Sequence, residues 1–161
     1  MLRPLLRPAR PDDIPQLLEL LAELAGYEHL GHALQTDAQR LHQHLFGARP
    51  YAEALVAEVD ARIVGLTLFF HTYAALRGQP GLHVEVLFVL PAARGQGVGR
   101  ALLTALARLA LERECGRLEW PVLDWNEPAL DFYRRLNAQP QDDWTLHHLS
   151  GEALLSLARH G

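Results

Sequence analysis

The sequence has little of several features that mark other classes of protein. Its 161 residues include one cysteine, Cys115, so no disulfide can form within the chain. That usage fits a reducing compartment. Basic residues are not in excess, since 15 Lys and Arg stand against 19 Asp and Glu. Because proteins that bind nucleic-acid phosphates are typically basic, nucleic acid is not an expected partner.

Long apolar runs are also missing. Hydrophobic residues make up 49% of the chain, but the longest apolar stretches are about one strand long, whereas a membrane-spanning helix needs about 20 residues. The arginine- and proline-rich start lacks the apolar run of a targeting signal. Without a linker or repeat, this length indicates one domain over residues 1–161. We therefore expect a cytoplasmic protein with no membrane partner.

Hydrophobic periodicity predicts a mixed α/β order of elements. A helix starting near Pro11 ends at Gly26, and Thr36 to Gln39 forms the pattern of a capping box before a helix that ends at Gly47. The predicted strands are 2–7, 54–59, 62–70, 82–90, 117–123 and 144–149, and the later helices are 100–115, 128–136 and 152–159. The middle of this order implies a right-handed crossover between parallel strands.

The strongest single signal is Arg94-Gly95-Gln96-Gly97-Val98-Gly99, which lies between a buried strand and a long helix. Closely spaced glycines let the backbone turn sharply, and the first N–H groups of a helix lack internal acceptors. Together they favour binding of a diphosphate. The spacing does not fit a P-loop or a dinucleotide fingerprint. The alternative is a plain strand-to-helix turn.

This loop and several other segments resemble one known family. Arg94-x-x-Gly97-x-Gly99 is similar to the acetyl-CoA motif of the GNAT superfamily of N-acetyltransferases. The resemblance runs from about Leu2 to about Leu157. Its diamine (spermidine/spermine) acetyltransferase branch is indicated by Tyr27-Glu28, Trp125-Asn126-Glu127-Pro128 and Phe132-Tyr133.

The resemblance implies a GNAT fold of the α/β (α+β) class, with a mixed, splayed sheet of about six to seven strands flanked by helices. It also implies a homodimer and acetyl-CoA as co-substrate. Carried over by position, the residues that bind acetyl-CoA are Leu87, Phe88 and Val89 for the pantetheine, Arg94, Gly95, Gln96, Gly97, Val98, Gly99 and Arg100 for the diphosphate, and Asn126, Glu127, Pro128 and Ala129 on its other side. The implied substrate positions are Tyr27, Glu28, Glu85, Glu119, Trp120, Pro121 and Asp142.

Transfer to an amine requires two proton movements. An alkyl ammonium group has a pKa of about 10.4, so only about one molecule in a thousand is nucleophilic at neutral pH. Glu85, on the predicted central strand, is the candidate general base, directly or through a water. Tyr133 holds the family's position for the acid that protonates the departing thiolate. The alternatives are an ordinary strand glutamate and a core aromatic residue.

One position departs from the polyamine branch. Val86 follows the strand glutamate where the polyamine enzymes carry a second acid. The acceptor is therefore expected to be a small cationic amine, either a diamine or polyamine or a lysine-like compound such as thialysine. The alternatives are a catalytically silent acyl-CoA-binding module and a protein-lysine acetyltransferase. The nine histidines do not pair with cysteines or carboxylates at zinc-site spacing, so no metal is expected.

Overall fold

A computed structural model of the protein describes residues 3–28 and 34–160. Leu2, where the predicted first strand began, lies outside them. Two compact units are present, one ending at Pro121 and the other starting at Val122. The first contains a sheet and three helices, and the second contains two helices. In the described ranges, no helix combines the length and the apolar character needed to cross a membrane.

The sheet of the first unit has four antiparallel strands and one parallel edge strand. In order across the sheet, the strands are β1 Leu5–Pro8, β2 Glu53–Val59, β3 Arg62–Ala74, β4 Gln79–Val89 and β5 Leu118–Glu119. Each of the first three strands pairs with the next in antiparallel register, and β5 runs parallel to β4. The helices are α1 Ile14–Tyr27, α2 Ala38–Phe46 and α3 Val98–Glu112, followed in the second unit by α4 Glu127–Arg135 and α5 Gly151–His160. The mixed α/β architecture is thus confirmed.

Both faces of the sheet are covered by helices. On one face, buried residues of α1 and α2 such as Leu17 and Leu41 form a cluster with Leu66 and Phe88 of the sheet. On the other, Val98 and Leu102 of α3 are buried against Ala57. Gly65 allows this approach, because a Cβ atom there would lie 3.0 Å from Val98 and 3.1 Å from Leu102. This packing fixes the start of α3 beside the end of β4.

The sheet is smaller than expected. It has five strands in the described residues, not six or seven. The predicted strand 117–123 shrinks to Leu118–Glu119, since Pro121 has no N–H with which to extend a ladder. The predicted strand 144–149 is wrong. These residues are exposed and carry no strand assignment, because a strand exists only where a neighbouring strand pairs with it.

The start of α2 also differs in detail from the predicted capping box. The N-cap residue is Asp37, not Thr36, and its Oδ1 accepts a hydrogen bond of 2.8 Å from the Arg40 N–H. Asp37 has the extended backbone that an N-cap requires. Its carboxylate also meets the positive end of the helix dipole, which explains why it replaces the neighbouring threonine.

A largely buried charge network joins β1 to the start of α1 and to β2. The Arg7 guanidinium donates two hydrogen bonds to Asp13, of 2.7 and 3.0 Å, and one of 2.8 Å to Glu58. The Arg10 N–H donates to the same Asp13 carboxylate. The hydrogen bonds from Arg7 hold the pKa of Asp13 below its ordinary value, against the opposing effect of burial.

We expect Asp13→Asn to lower the free energy of unfolding at pH 7 by about 3 kcal/mol, because it leaves Arg7 buried beside a neutral partner. Because the folded-state pKa of Asp13 is lowered, the stabilisation is present above the unfolded pKa of about 3.9 and is lost as the pH falls below it. Urea unfolding followed by circular dichroism, repeated from pH 7 to pH 3, measures both effects. Exposed Asp12→Asn is the control, and equal losses in the two variants would contradict the prediction.

Candidate active site

The edge of β4 is the framework of the candidate site. β5 pairs with it only at Leu82↔Leu118 and His83↔Glu119. Beyond His83, toward Val89, no strand of the described residues pairs with β4 on that side. Every second residue of an antiparallel strand directs its N–H and C=O away from its partner, so this edge presents backbone hydrogen-bonding groups. An extended ligand can bind to such an edge.

Glu85 lies where β4 separates from β5. In the pairing with β3, Leu68 faces Val86 and Phe69 faces Val84, so Glu85 is the extra residue of a β-bulge. A bulge bends its strand and redirects a side chain. The Glu85 side chain is 62% exposed, whereas Val84 is buried. The bulge thus gives the predicted base access to the space beside the open edge.

The glycine-rich loop follows at the far end of that edge. Gly95 and Gly97 have φ of 74° and 85°, the left-handed region that favours glycine. Gly97 is the N-cap of α3, which begins at Val98, two residues before the predicted start at Arg100. The first-turn N–H groups of this 15-residue helix lie at the positive end of its dipole. The loop therefore has the geometry of a binding site for a diphosphate or another anion.

Arg94 connects three of the predicted site segments. Its guanidinium carbon lies 5.0 Å from the centre of the Tyr27 ring and 5.3 Å from that of Phe88, within the range of cation–π attraction. Its Nε donates a hydrogen bond of 2.9 Å to the Val89 carbonyl. The end of α1, with Tyr27 and Glu28, is thereby held against the end of β4.

A histidine that the sequence reasoning missed lies between two of the predicted acids. His83 Nε2 is 3.7 Å from Glu85 Oε2, and its Nδ1 is 3.9 Å from Glu119 Oε1. Its ring stacks on Phe70 at 4.8 Å between centres. The signal was available, because residues two apart on a strand share a face. Trp120 and Pro121 follow Glu119 directly along the chain.

The second unit holds the other predicted residues. Asn126 is the N-cap of α4, and its Oδ1 accepts a hydrogen bond of 3.4 Å from the Ala129 N–H. Pro128 lies in the first turn, where its missing N–H costs nothing. Tyr133 is partly buried, and this burial raises the pKa of its phenol. Asp142 is exposed. In residues 3–28 and 34–160, no three His, Cys, Asp or Glu side chains are grouped as metal ligands.

Comparison with known proteins identifies the family of the chain. The sequence profile of the Acetyltransferase (GNAT) family matches residues 14–138, which is more than half of the chain. The chain belongs to the GNAT acetyltransferase family. Its activity class is therefore N-acetyl transfer, as the sequence predicted.

Individual relatives refine this placement. Thialysine N-epsilon-acetyltransferase of Bos taurus is 33% identical over 96% of each chain. A spermidine/spermine N(1)-acetyltransferase-like protein of Homo sapiens is 29% identical over 95% of this chain and 23% of its own length. These relatives confirm the predicted branch. An integron cassette protein from the V. cholerae mobile metagenome shares the fold, with a TM-score of 0.83, 23% identity and 99% coverage of both chains.

Because burial disfavours the phenolate, we expect Tyr133 to ionise above the ordinary tyrosine value of about 10 and to remain a proton donor throughout the neutral range. Titration of the near-ultraviolet absorbance of tyrosinate measures this. The late component should disappear in Tyr133→Phe and persist in Tyr73→Phe, whose side chain is exposed. A late component that survives Tyr133→Phe would contradict the assignment.

Proposed function

We propose that the protein transfers the acetyl group of acetyl-CoA directly to a primary amine of a small cationic substrate. The observation that carries this proposal is the position of Glu85, a bulge residue on β4 just beyond the last pair with β5. The same open edge leads from Glu85 to the glycine-rich loop. A proton acceptor thus lies at one end of the edge and a diphosphate-binding loop at the other.

In this proposal acetyl-CoA lies along β4. The backbone of Leu87 to Val89 bonds the pantetheine, and the loop from Arg94 to Arg100 holds the diphosphate. Support comes from the unpaired edge of β4 and from the left-handed backbone of Gly95 and Gly97. By family resemblance, the other side of the cofactor is assigned to Asn126, Glu127, Pro128 and Ala129.

Two side chains handle the protons. Glu85 takes a proton from the ammonium group, directly or through a water, so that the nitrogen lone pair can attack the thioester carbon. The C–N bond forms, the C–S bond breaks, and Tyr133 gives its proton to the departing thiolate. The pKa of Tyr133 is raised by burial, which keeps the phenol protonated and suits it to this role. Tyr133 then regains a proton from the nitrogen.

The acceptor is proposed to be compact. The negative charge that a cationic amine requires is supplied by Glu28, Glu85, Glu119 and Asp142. The other residues assigned to the acceptor site are Tyr27, Trp120 and Pro121. Val86, however, packs against the apolar cluster beneath α1 and α2. It offers no counter-charge for a further nitrogen of a long polyamine. A lysine-like amino acid or a short diamine is therefore the preferred class, in keeping with the thialysine named for the Bos taurus relative.

The proposal includes a homodimer. Helix α5 exposes Leu154, Leu155 and Leu157, which lie within one turn of one another. Apolar side chains grouped on a surface are typical of an interface with another protein, and closed two-fold dimers are the commonest oligomers. A second copy of the chain is the proposed occupant.

Thiol release from acetyl-CoA with thialysine, lysine, putrescine, spermidine and spermine tests the activity. We expect the lysine-like amines or putrescine to give the highest kcat/KM and spermine the lowest. CoA binding without release for any small amine would favour a silent binding module, and release with lysine-containing peptides alone would favour a protein-lysine acetyltransferase. Either result contradicts the proposal.

The loop assignment has its own test. Gly95 and Gly78 both have positive φ, 74° and 63°, and at neither would an added Cβ meet another atom within 4 Å. Alanine at either position should cost about 1 kcal/mol of folding stability. Only Gly95→Ala should weaken CoA binding, by about tenfold, since its Cβ enters the diphosphate loop. Calorimetric titration with CoA measures this, and equal affinities for the two variants would refute the placement.

A further inference from the structure

The proposed reaction leaves one proton to be exported in each turnover. A protonated amine and acetyl-CoA give an amide, a free thiol and one additional proton. One of the two protons lost by the nitrogen reaches the thiolate through Tyr133, so the other stays on Glu85 until it is passed on. Glu85 must return to the carboxylate before it can accept the next proton.

An amine that binds against Glu85 covers part of the surface through which this proton could leave. The Glu85 side chain is 62% exposed, whereas the side chain of His83, two residues earlier on the strand, is 24% exposed. The Nε2 of His83 faces the Glu85 carboxylate at 3.7 Å, and its Nδ1 faces Glu119 at 3.9 Å. Glu119 is 36% exposed, so this route ends at the solvent.

Imidazole is suited to such a position. Its two nitrogens can accept a proton on one side of the ring and release one on the other. Both distances exceed a direct hydrogen bond, and each can be spanned by one bridging water or by a small rotation of the carboxylate. Stacking on Phe70, with planes 28° apart, fixes the ring so that each nitrogen faces its own acid.

We propose that Glu85 returns its proton to solvent through His83 and then Glu119. His83 thus positions the base and transfers its proton, without touching the substrate. This inference rests on the proposed function, with Glu85 as base. The proton moves from Glu85 Oε2 to His83 Nε2, the Nδ1 proton passes to Glu119, and water takes it from there. His83 ends the transfer as a neutral ring with its proton on Nε2, and exchange of ring protons with water restores the Nδ1–H tautomer before the next turnover.

The charged groups that the structure places beside His83 in the first unit are two acids. Glu85 lies on its own strand, Glu119 on β5, and Phe70 on β3 contributes no charge. Arg117 Nε is 3.6 Å from the second oxygen of Glu119. Arg117 is 51% exposed, so the acid at which the proposed route ends lies beside a solvent-exposed cation.

Two substitutions separate proton transfer from structural support. His83→Phe keeps a ring that can stack on Phe70, and His83→Gln keeps a hydrogen-bonding group that cannot titrate. We expect both to lower kcat for the best amine by about 10- to 100-fold, with KM for acetyl-CoA unchanged. His71→Gln, on the neighbouring strand and in contact with Arg113, should keep the parent rate.

Rescue of kcat by added imidazole distinguishes a proton-transfer role of His83 from a structural one. With His83→Ala, kcat should rise as imidazole is added, because the free base replaces the missing ring, while the parent enzyme and His71→Gln should not respond. Circular dichroism and CoA titration confirm that each variant is folded and binds the cofactor. A parental kcat in both His83→Phe and His83→Gln, or a loss in His83→Ala that imidazole does not restore, would overturn the inference.

The same assays distinguish failure of the inference from failure of the proposed function. No thiol release by the parent enzyme with any amine refutes the function, and the role of His83 falls with it. A parental rate–pH profile for Glu85→Gln refutes the base, and again His83 loses its role. Impaired Glu85→Gln together with unaffected His83 variants overturns the inference alone.

Discussion

The candidate site depends on one structural constraint, the early end of pairing between β4 and β5. Their parallel ladder includes only two residues on each strand, and Pro121 prevents it from continuing with regular hydrogen bonds. β4 nevertheless runs on to Val89, supported by antiparallel pairing with β3. The result is a strand that is fixed on one side and open on the other. Without this asymmetry the edge could not receive an extended ligand.

Core packing holds the ends of this open edge in place. Phe88 points into the cluster formed with α1 and α2, and Leu87 and Val89 pack on the opposite face beside α3. The strand is thus anchored by side chains on both faces, while its backbone edge stays available. Arg94 adds non-covalent contacts with the rings of Tyr27 and Phe88 and a hydrogen bond to the Val89 carbonyl. Burial of apolar surface therefore positions the polar backbone groups of the site.

The sequence predicts the parts of the site that depend on local chemistry. The loop from Arg94 to Gly99 was recognisable because glycine spacing and the start of a helix are encoded within a few residues. The sequence also predicts Glu85 as a base, which stays a prediction, but it does not predict the bulge, since a bulge is defined by register with β3. His83 was overlooked for a related reason: its significance depends on Glu119, which is 36 positions along the chain but opposite it in the sheet. The prediction of a strand at 144–149 is wrong because a suitable sequence pattern does not by itself provide a neighbouring strand to pair with.

The surroundings of position 86 bear on the class of amine proposed above. Val86 packs into the apolar cluster, where an unpaired carboxylate would be costly. The bulge at Glu85 places a single acid toward the opening, and the second acid near it, Glu119, is contributed by β5 and is shared with His83 and Arg117. An acid whose charge is partly balanced by a neighbouring cation, as Glu119 is by Arg117, binds a further cationic group less strongly than an unpaired acid does. In the proposed function, Glu85 is therefore the main counter-charge for the reacting nitrogen, which is the reason for proposing a short amine rather than a long polyamine.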